Sequence, residues 1–175
     1  IYTIDLGIKI VRPRFRGEIF GFGSIYRDKI DSVLTGSTTP DGRDVVQSAN
    51  LNRVWLSGAE ARVEVDLRDA LQLRGHVFWT WGEEDGANGY EQPADRVPPV
   101  QGLVGLRWAP WESLWVEAFT RFAGPQNRLS DRDIRDPRID PGGTPGWVTG
   151  NLRAGLTVGE HWSGTVAVEN FTDAS

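Results

Sequence analysis

The stretch WLSGAEARVEVDL, residues 55–67, decides the fold class. Trp55, Ser57, Ala59, Ala61, Val63, Val65 and Leu67 fall on one parity, and Leu56, Gly58, Glu60, Arg62, Glu64 and Asp66 on the other. Alternation with period two sends successive side chains to opposite faces of a sheet, so this is a strand with one apolar and one charged face. The same pattern recurs on both sides of it. Leu71, Leu73, Val77, Trp79 and Trp81 oppose Gln72, Arg74, His76 and Thr80; Leu114, Val116, Ala118 and Phe122 oppose Glu117 and Arg121. Val148, Leu152, Ala154, Leu156 and Val158 oppose Thr149, Asn151, Arg153 and Thr157.

Extended to the whole chain, the alternation predicts about eight strands: Tyr2–Val11, Phe15–Ile30, Val46–Leu67, Leu71–Glu83, Val100–Ala109, Leu114–Gly124, Trp147–Val158 and Trp162–Phe171. Most reach the roughly 9–11 residues that a tilted strand needs to cross a bilayer, longer than the usual five or six of a globular strand. Short turns at Arg12–Arg14, Arg68–Ala70, Pro110–Ser113 and Gly159–His161 alternate with long polar connections at Thr35–Val45, Glu84–Pro99 and Pro125–Gly146. Tight turns at one end and extended loops at the other are the habit of outer-membrane barrels. The expected fold is all-β: an antiparallel transmembrane β-barrel segment of about eight long strands in up-and-down meander order.

Composition agrees with a membrane surface hidden in an average. The 175 residues carry 39% hydrophobic and 25% charged side chains, a formal charge of −5, 8 Trp, 7 Phe, 3 Tyr, no Cys and no Met. No segment approaches the roughly 18 apolar residues of a spanning helix. Aromatic and β-branched content excludes a disordered chain. The absence of cysteine excludes disulfide scaffolds and thiolate sites. The acidic balance argues against a nucleic-acid partner, which needs a concentrated basic surface. Tryptophans gather near predicted strand ends, Trp55, Trp79, Trp81 and Trp147 toward the long loops and Trp108, Trp111, Trp115 and Trp162 toward the short turns. Trp55, Trp79, Trp81, Trp108, Trp111, Trp147 and Trp162 are therefore expected to form interfacial aromatic girdles, where indole meets both lipid and headgroup.

Four stretches, NRVWLSGAEARVEVDL, VPPVQGLVGLRW, RFAGPQNRLSDRDIRDPRIDPGGTPGWVTGNLRAGL and VAVENFTDAS, resemble in content, order and spacing the C-terminal part of the β-barrel of TonB-dependent outer-membrane receptors. The points of likeness are Gly58-Ala59-Glu60, Pro98-Pro99, the loop Asp131–Trp147 and the pair Glu169-Asn170. The resemblance implies a bacterial outer-membrane protein that imports a scarce nutrient, of the iron-siderophore, haem or cobalamin type. It also implies partners: outer-membrane lipid, a plug domain, an inner-membrane energy-coupling protein and the small-molecule ligand. A chain that opens on Ile1 and ends at Ser175 would be a slice of such a receptor, residues 1–175 forming part of a barrel of about 22 strands without its plug or final strand. It implies too that Thr35–Val45, Glu84–Pro99 and Pro125–Gly146 are extracellular and that Glu60, Arg62, Glu64, Arg74, His76, Glu117, Arg121, Asn151, Arg153 and Glu169 face the lumen. Two other readings compete: a complete eight-stranded outer-membrane barrel with a structural or adhesion role, and a soluble lipocalin-like binding module.

The remaining constellations read as structure. In the run Arg128 to Asp140, the carboxylates of Asp131, Asp133, Asp136 and Asp140 supply hard oxygens for a cation, but Arg128, Arg132, Arg135 and Arg138 balance them and the glycine of a calcium loop is missing. An internally salt-bridged surface loop is expected. Glu83, Glu84, Asp85, Glu91 and Asp95, opposed only by Arg96, read as a solvated loop tip. His76 lies within a predicted strand and His161 in a turn. Ser130 has no histidine near it, and no serine sits in a nucleophile elbow, so neither an enzyme nor a cofactor is indicated. No helix is expected, and with none, no phosphate-binding loop that would open one.

Overall fold

Alternation on every strand becomes one continuous ladder. The structure, a computed structural model, describes residues 1–85 and 90–173. Its strands are β1 (Tyr2–Arg12), β2 (Phe15–Thr38), β3 (Asp44–Arg68), β4 (Leu71–Asp85), β5 (Glu91–Pro93), β6 (Gln101–Trp111), β7 (Leu114–Ala123), β8 (Trp147–Val158) and β9 (Trp162–Val168), with one helix, α1 (Asp131–Arg135). They form a single antiparallel sheet in the order β1-β2-β3-β4-β6-β7-β8-β9, with β5 added to the end of β4. Each long strand pairs antiparallel with the next long strand in sequence, across tight turns and long connections alike. The sheet does not close on itself: among the described residues β1 pairs only with β2, and β9 only with β8. A closed eight-stranded barrel requires a β1–β9 ladder, so that reading is set aside.

Three elements depart from the sequence expectation. The first long connection is mostly strand: β2 and β3 continue to the pair Thr38 and Asp44, leaving a turn at 39–43. That turn is closed by Thr39 N–H to Arg43 O at 2.8 Å and Gly42 N–H to Thr39 O at 2.9 Å, with Gly42 at φ 80°. Neighbouring strands stop much earlier. β1 ends its ladder at Ile25, and β4 at Val54. The hairpin therefore runs on as a two-stranded ribbon for roughly 35 Å at about 3.3 Å per residue. Secondly, β9 ends at Val168; Asn170 to Thr172 fold back on β8 instead, with Phe171 N–H to Gly150 O at 3.0 Å. Thirdly, α1 interrupts the last long connection. Ser130 caps it: the hydroxyl accepts from Asp133 N–H at 3.0 Å while the Asp133 carboxylate accepts from Ser130 N–H at 3.3 Å. Ser130-Asp-Arg-Asp133 is a capping-box pattern, a signal present in the sequence that the helix-free expectation missed.

Burial is inverted relative to a water-soluble protein. Among the described residues only Val54 and Ala94 are buried apolar side chains, whereas Ser24, Glu84, Glu117, Ser130, Asp133 and Asn151 are buried polar ones. Ile4, Leu6 and Ile8 are 63%, 71% and 63% exposed on a single strand.

Candidate functional site: the charged face and its rim

Register lines up the polar side chains in rows across the sheet. One row runs Lys9, Glu18, Arg62, His76, Leu103, Arg121, Thr149 over seven strands. The next runs Val11, Arg16, Glu64, Arg74, Gly105, Phe119, Asn151, and a third runs Asp66, Gln72, Arg107, Glu117, Arg153, Ala167. Neighbours in these rows neutralise one another: Glu18 bonds Lys9 at 3.7 Å and Arg62 at 3.2 Å, Arg16 bonds Glu64 at 3.1 Å, and Arg62 also reaches Glu60 at 3.3 Å. Glu60, Arg62, Glu64, Arg74, His76, Glu117, Arg121, Asn151 and Arg153 thus share one face. Glu169 lies just beyond the end of β9 and has no ladder partner. Its neighbour Asn170 takes the structural part, donating its N–H to Asn151 Oδ1 at 3.0 Å.

At the centre of the face lies a carboxylate that the sequence did not distinguish from the others. Glu117 is fully buried, one oxygen facing Arg74 Nε and the other accepting from Arg153 Nε at 2.6 Å. Arg74 is on β4 and Glu117 on β7, so the pair spans β6. Gly105 makes this possible. It sits between Arg74 and Phe119 in the ladder, and a Cβ there would lie 2.9 Å from Phe119 Cβ and 3.2 Å from Glu117 Oε1. Arg107 stacks 4.2 Å over Trp115, and Arg153 lies 5.7 Å from the same ring and 5.3 Å from Phe119, so cations surround the buried glutamate with aromatic rings between them.

The tryptophans divide between the faces. Trp55, Trp79, Trp81, Trp108 and Trp162 have apolar-face parity, and the Trp79 and Trp81 rings lie tilted at 37° with centroids 6.4 Å apart. Trp111, exposed, pairs with Leu114 past a register shift. Trp147 lies apart from them. It pairs with Ala123 on the charged face and lines a recess of about 440 Å³ with Glu60, Arg62, His76, Phe78, Gln101 and Arg121. Parity counted from Val148 places it there; its position at a strand end had suggested a girdle. Trp115 shares this face.

The long connections also differ from expectation. Within Arg128 to Asp140 the only ion pair among the described residues is Arg138 with Asp136, at 2.6 Å. Arg128 instead bonds Glu83 at 3.3 Å and lies 3.3 Å over the Trp81 ring. Arg132 bonds Asp95 at 3.1 Å, and Asp136 also accepts from Arg96 at 3.0 Å. Asp131 N–H donates to Gln92 Oε1 at 3.2 Å, and Asp140 Oδ1 accepts from Gly142 N–H at 2.8 Å. Arg135 is exposed. The acidic residues at the base of the segment before β6 are therefore paired, while Glu91 is exposed. Glu83 and Asp95 receive arginines from the neighbouring connection, while Glu84, buried, bonds Lys29 at 3.4 Å; residues 86–89 of that segment lie outside the described residues. The Arg138 side chain, donating to both Asp136 oxygens, holds that carboxyl well below the ordinary carboxylate range, helped by the Arg138 backbone N–H.

A charged and an apolar face on one long-stranded antiparallel meander define a β-barrel wall. Residues 1–171 match the family described as TonB dependent receptor-like, beta-barrel, and the chain belongs to that family. Solved structures with the same fold include the copper transporter OprC, at TM-score 0.80 and 17% identity over 97% of this chain and 25% of that one. The siderophore receptor PirA from Pseudomonas aeruginosa gives 0.69 and 21%, over 98% of this chain and 26% of that one. The ferric enterobactin receptor PfeA from Pseudomonas aeruginosa, in complex with enterobactin, gives 0.72 and 16%, over 97% and 25%. This chain spans about a quarter of the length of those proteins. No curated protein sequence matches it.

Proposed function

We propose that this chain supplies barrel wall and extracellular connections to an outer-membrane receptor that imports a small-molecule nutrient, with its apolar face to lipid and its charged face to the lumen. The observation that carries the reading is the inverted burial. Ile4, Leu6, Ile8, Leu106, Leu152 and Leu156 are exposed, whereas Glu117 and Asn151 on the opposite face are buried. Exposed apolar rows suit lipid, and a hydrated lumen tolerates the ion-paired rows; the same cations on the lipid face would cost about 2–4 kcal/mol each at mid-membrane. A lipocalin-like module would place these faces the other way, apolar inside and polar outside. The same proposal extends to import of an iron chelate, haem or a cobalamin and to dependence on a plug and an inner-membrane energy-coupling protein; family membership supports it, as do neighbours named as siderophore and copper proteins.

Single cysteines test the orientation in the full-length protein in outer membranes. Leu106→Cys and Ile8→Cys should resist a water-soluble maleimide, and their attached nitroxides should be relaxed by lipid-soluble oxygen. Arg121→Cys, on the opposite face, should show the reverse preference in the same intact membranes, reacting with the maleimide and escaping relaxation by oxygen. Equal labelling of both faces in intact membranes, with Leu106→Cys as reactive as a loop position, refutes the lipid assignment.

A further inference from the structure

The connection that precedes β6 and the one that follows β7 meet over the end of β4 and hold it from both sides. On the charged side, Ala94 is buried and donates its N–H to Gly82 O at 3.0 Å. A Cβ at Gly82 would lie 2.9 Å from both Ala94 Cβ and Val97 Cγ2, so only glycine lets residues 94–97 lie this close. The connection after β7 then docks on that segment. Gln126 Nε2 donates to Val97 O, Ser130 Oγ bonds Asp95 Oδ1 at 3.3 Å, and Arg96 N–H donates to Asp133 Oδ2 at 3.4 Å. On the other side, Arg128 covers Trp81 and bonds Glu83, both of apolar-face parity on β4. Ser130, fully buried, is the key: one hydroxyl caps α1 and reaches Asp95 on the other connection.

We propose that residues 91–97 and 126–136 form one fixed rim body, clamped across β4 and locked by Ser130, which loosens only as a unit. A segment gripped on both faces of a strand has no axis about which to swing, so it serves as a rigid edge of the mouth and not as two separate lids. The β2–β3 ribbon contrasts with it: beyond Tyr26 and Arg53 its strands pair, among the described residues, only with each other, and isolated two-stranded ribbons are marginal in water. Placing this rim at the extracellular mouth rests on the proposed orientation, but the coupling of the two connections does not.

Hydrogen exchange followed by mass spectrometry on the full-length protein separates the two. Peptides covering 91–97 and 128–136 should be protected together in the parent protein. In Ser130→Ala, which removes both the cap and the Asp95 bond, both should accelerate by about tenfold, with ribbon peptides unchanged. Acceleration confined to 128–136, no change in either segment, or no protection in the parent protein overturns the proposal. Should Ser130→Ala fail to assemble, Arg128→Ala is read by the same criteria, since it releases only the grip on Trp81 and Glu83. Failure here with the cysteine pattern intact removes the rim and leaves the orientation standing.

Discussion

Replacing Glu117 with Gln keeps the shape of the buried side chain and deletes its charge, leaving Arg74 and Arg153 facing a neutral amide. The carboxylate is fully buried and its partners retain 28% and 33% side-chain exposure. Removing one member of a fully buried ion pair costs about 3–5 kcal/mol, because the survivors keep their charge without compensation. Here both arginines stay about one-third hydrated and Arg153 keeps its aromatic contacts, so screening brings the expected loss to about 2–3 kcal/mol. Glu60→Gln on the same face provides the control. Glu60 is 43% exposed and pairs only through Arg62, which Glu18 still holds, so the change should stay within about 0.5 kcal/mol. The assay is urea unfolding of the full-length protein from lipid vesicles, followed by tryptophan fluorescence. Trp115, set among Arg107 and Arg153, is a built-in reporter. The ion-triad reasoning is refuted if Glu117→Gln and Glu60→Gln unfold at the same urea concentration, or if Arg153→Gln adds its full separate cost on top of Glu117→Gln, since a shared interaction must be counted once.

The same geometry predicts that Gly105→Val is worse than Val104→Ala one residue away. A branched side chain in the notch on β6 collides with Phe119 and Glu117, whereas Val104 is half exposed on the opposite face; loss of Arg74–Glu117 coupling in the unfolding assay is the readout, and equal stability of the two variants contradicts it. Asp136 supplies a pH test. Its carboxyl is lowered from 3.8, so its bonds to Arg138 contribute fully above that value and are lost only as the pH falls toward the lowered one. Carbodiimide labelling at pH 4, which needs the protonated acid, should spare Asp136 in the parent protein and modify it in Arg138→Ala; equal labelling in both argues against the pairing.

Much of this architecture was legible from parity. The stretch from Trp55 to Leu67 assigns its own faces, and the same count run along each strand placed Glu60, Arg62, Glu64, Arg74, His76, Glu117, Arg121, Asn151 and Arg153 on a single side of the sheet. Parity and position along the strand point different ways at Trp147, which sits at a strand end but on the charged face. Strand order followed from connection length, but the extent of the first hairpin did not. Thr35 to Val45 is polar and turn-rich, and nothing local announces that two strands will continue to pair after their outer neighbours stop.

What the sequence by itself determined is therefore the fold class, the meander and the division into an apolar and a charged face, because all three depend on period two and on turn chemistry, which are local. The tertiary structure alone decided which carboxylate is buried, which arginines reach it and how the long connections pair. Those outcomes depend on contacts between residues far apart in the chain, Arg74 with Glu117 across a glycine and Asp95 with Ser130 across β6 and β7. Charges that balance within Arg128 to Asp140 on paper find most of their partners among the described residues outside that run, since folding brings Glu83, Asp95 and Arg96 within bonding distance while a linear count sees only neighbours in sequence.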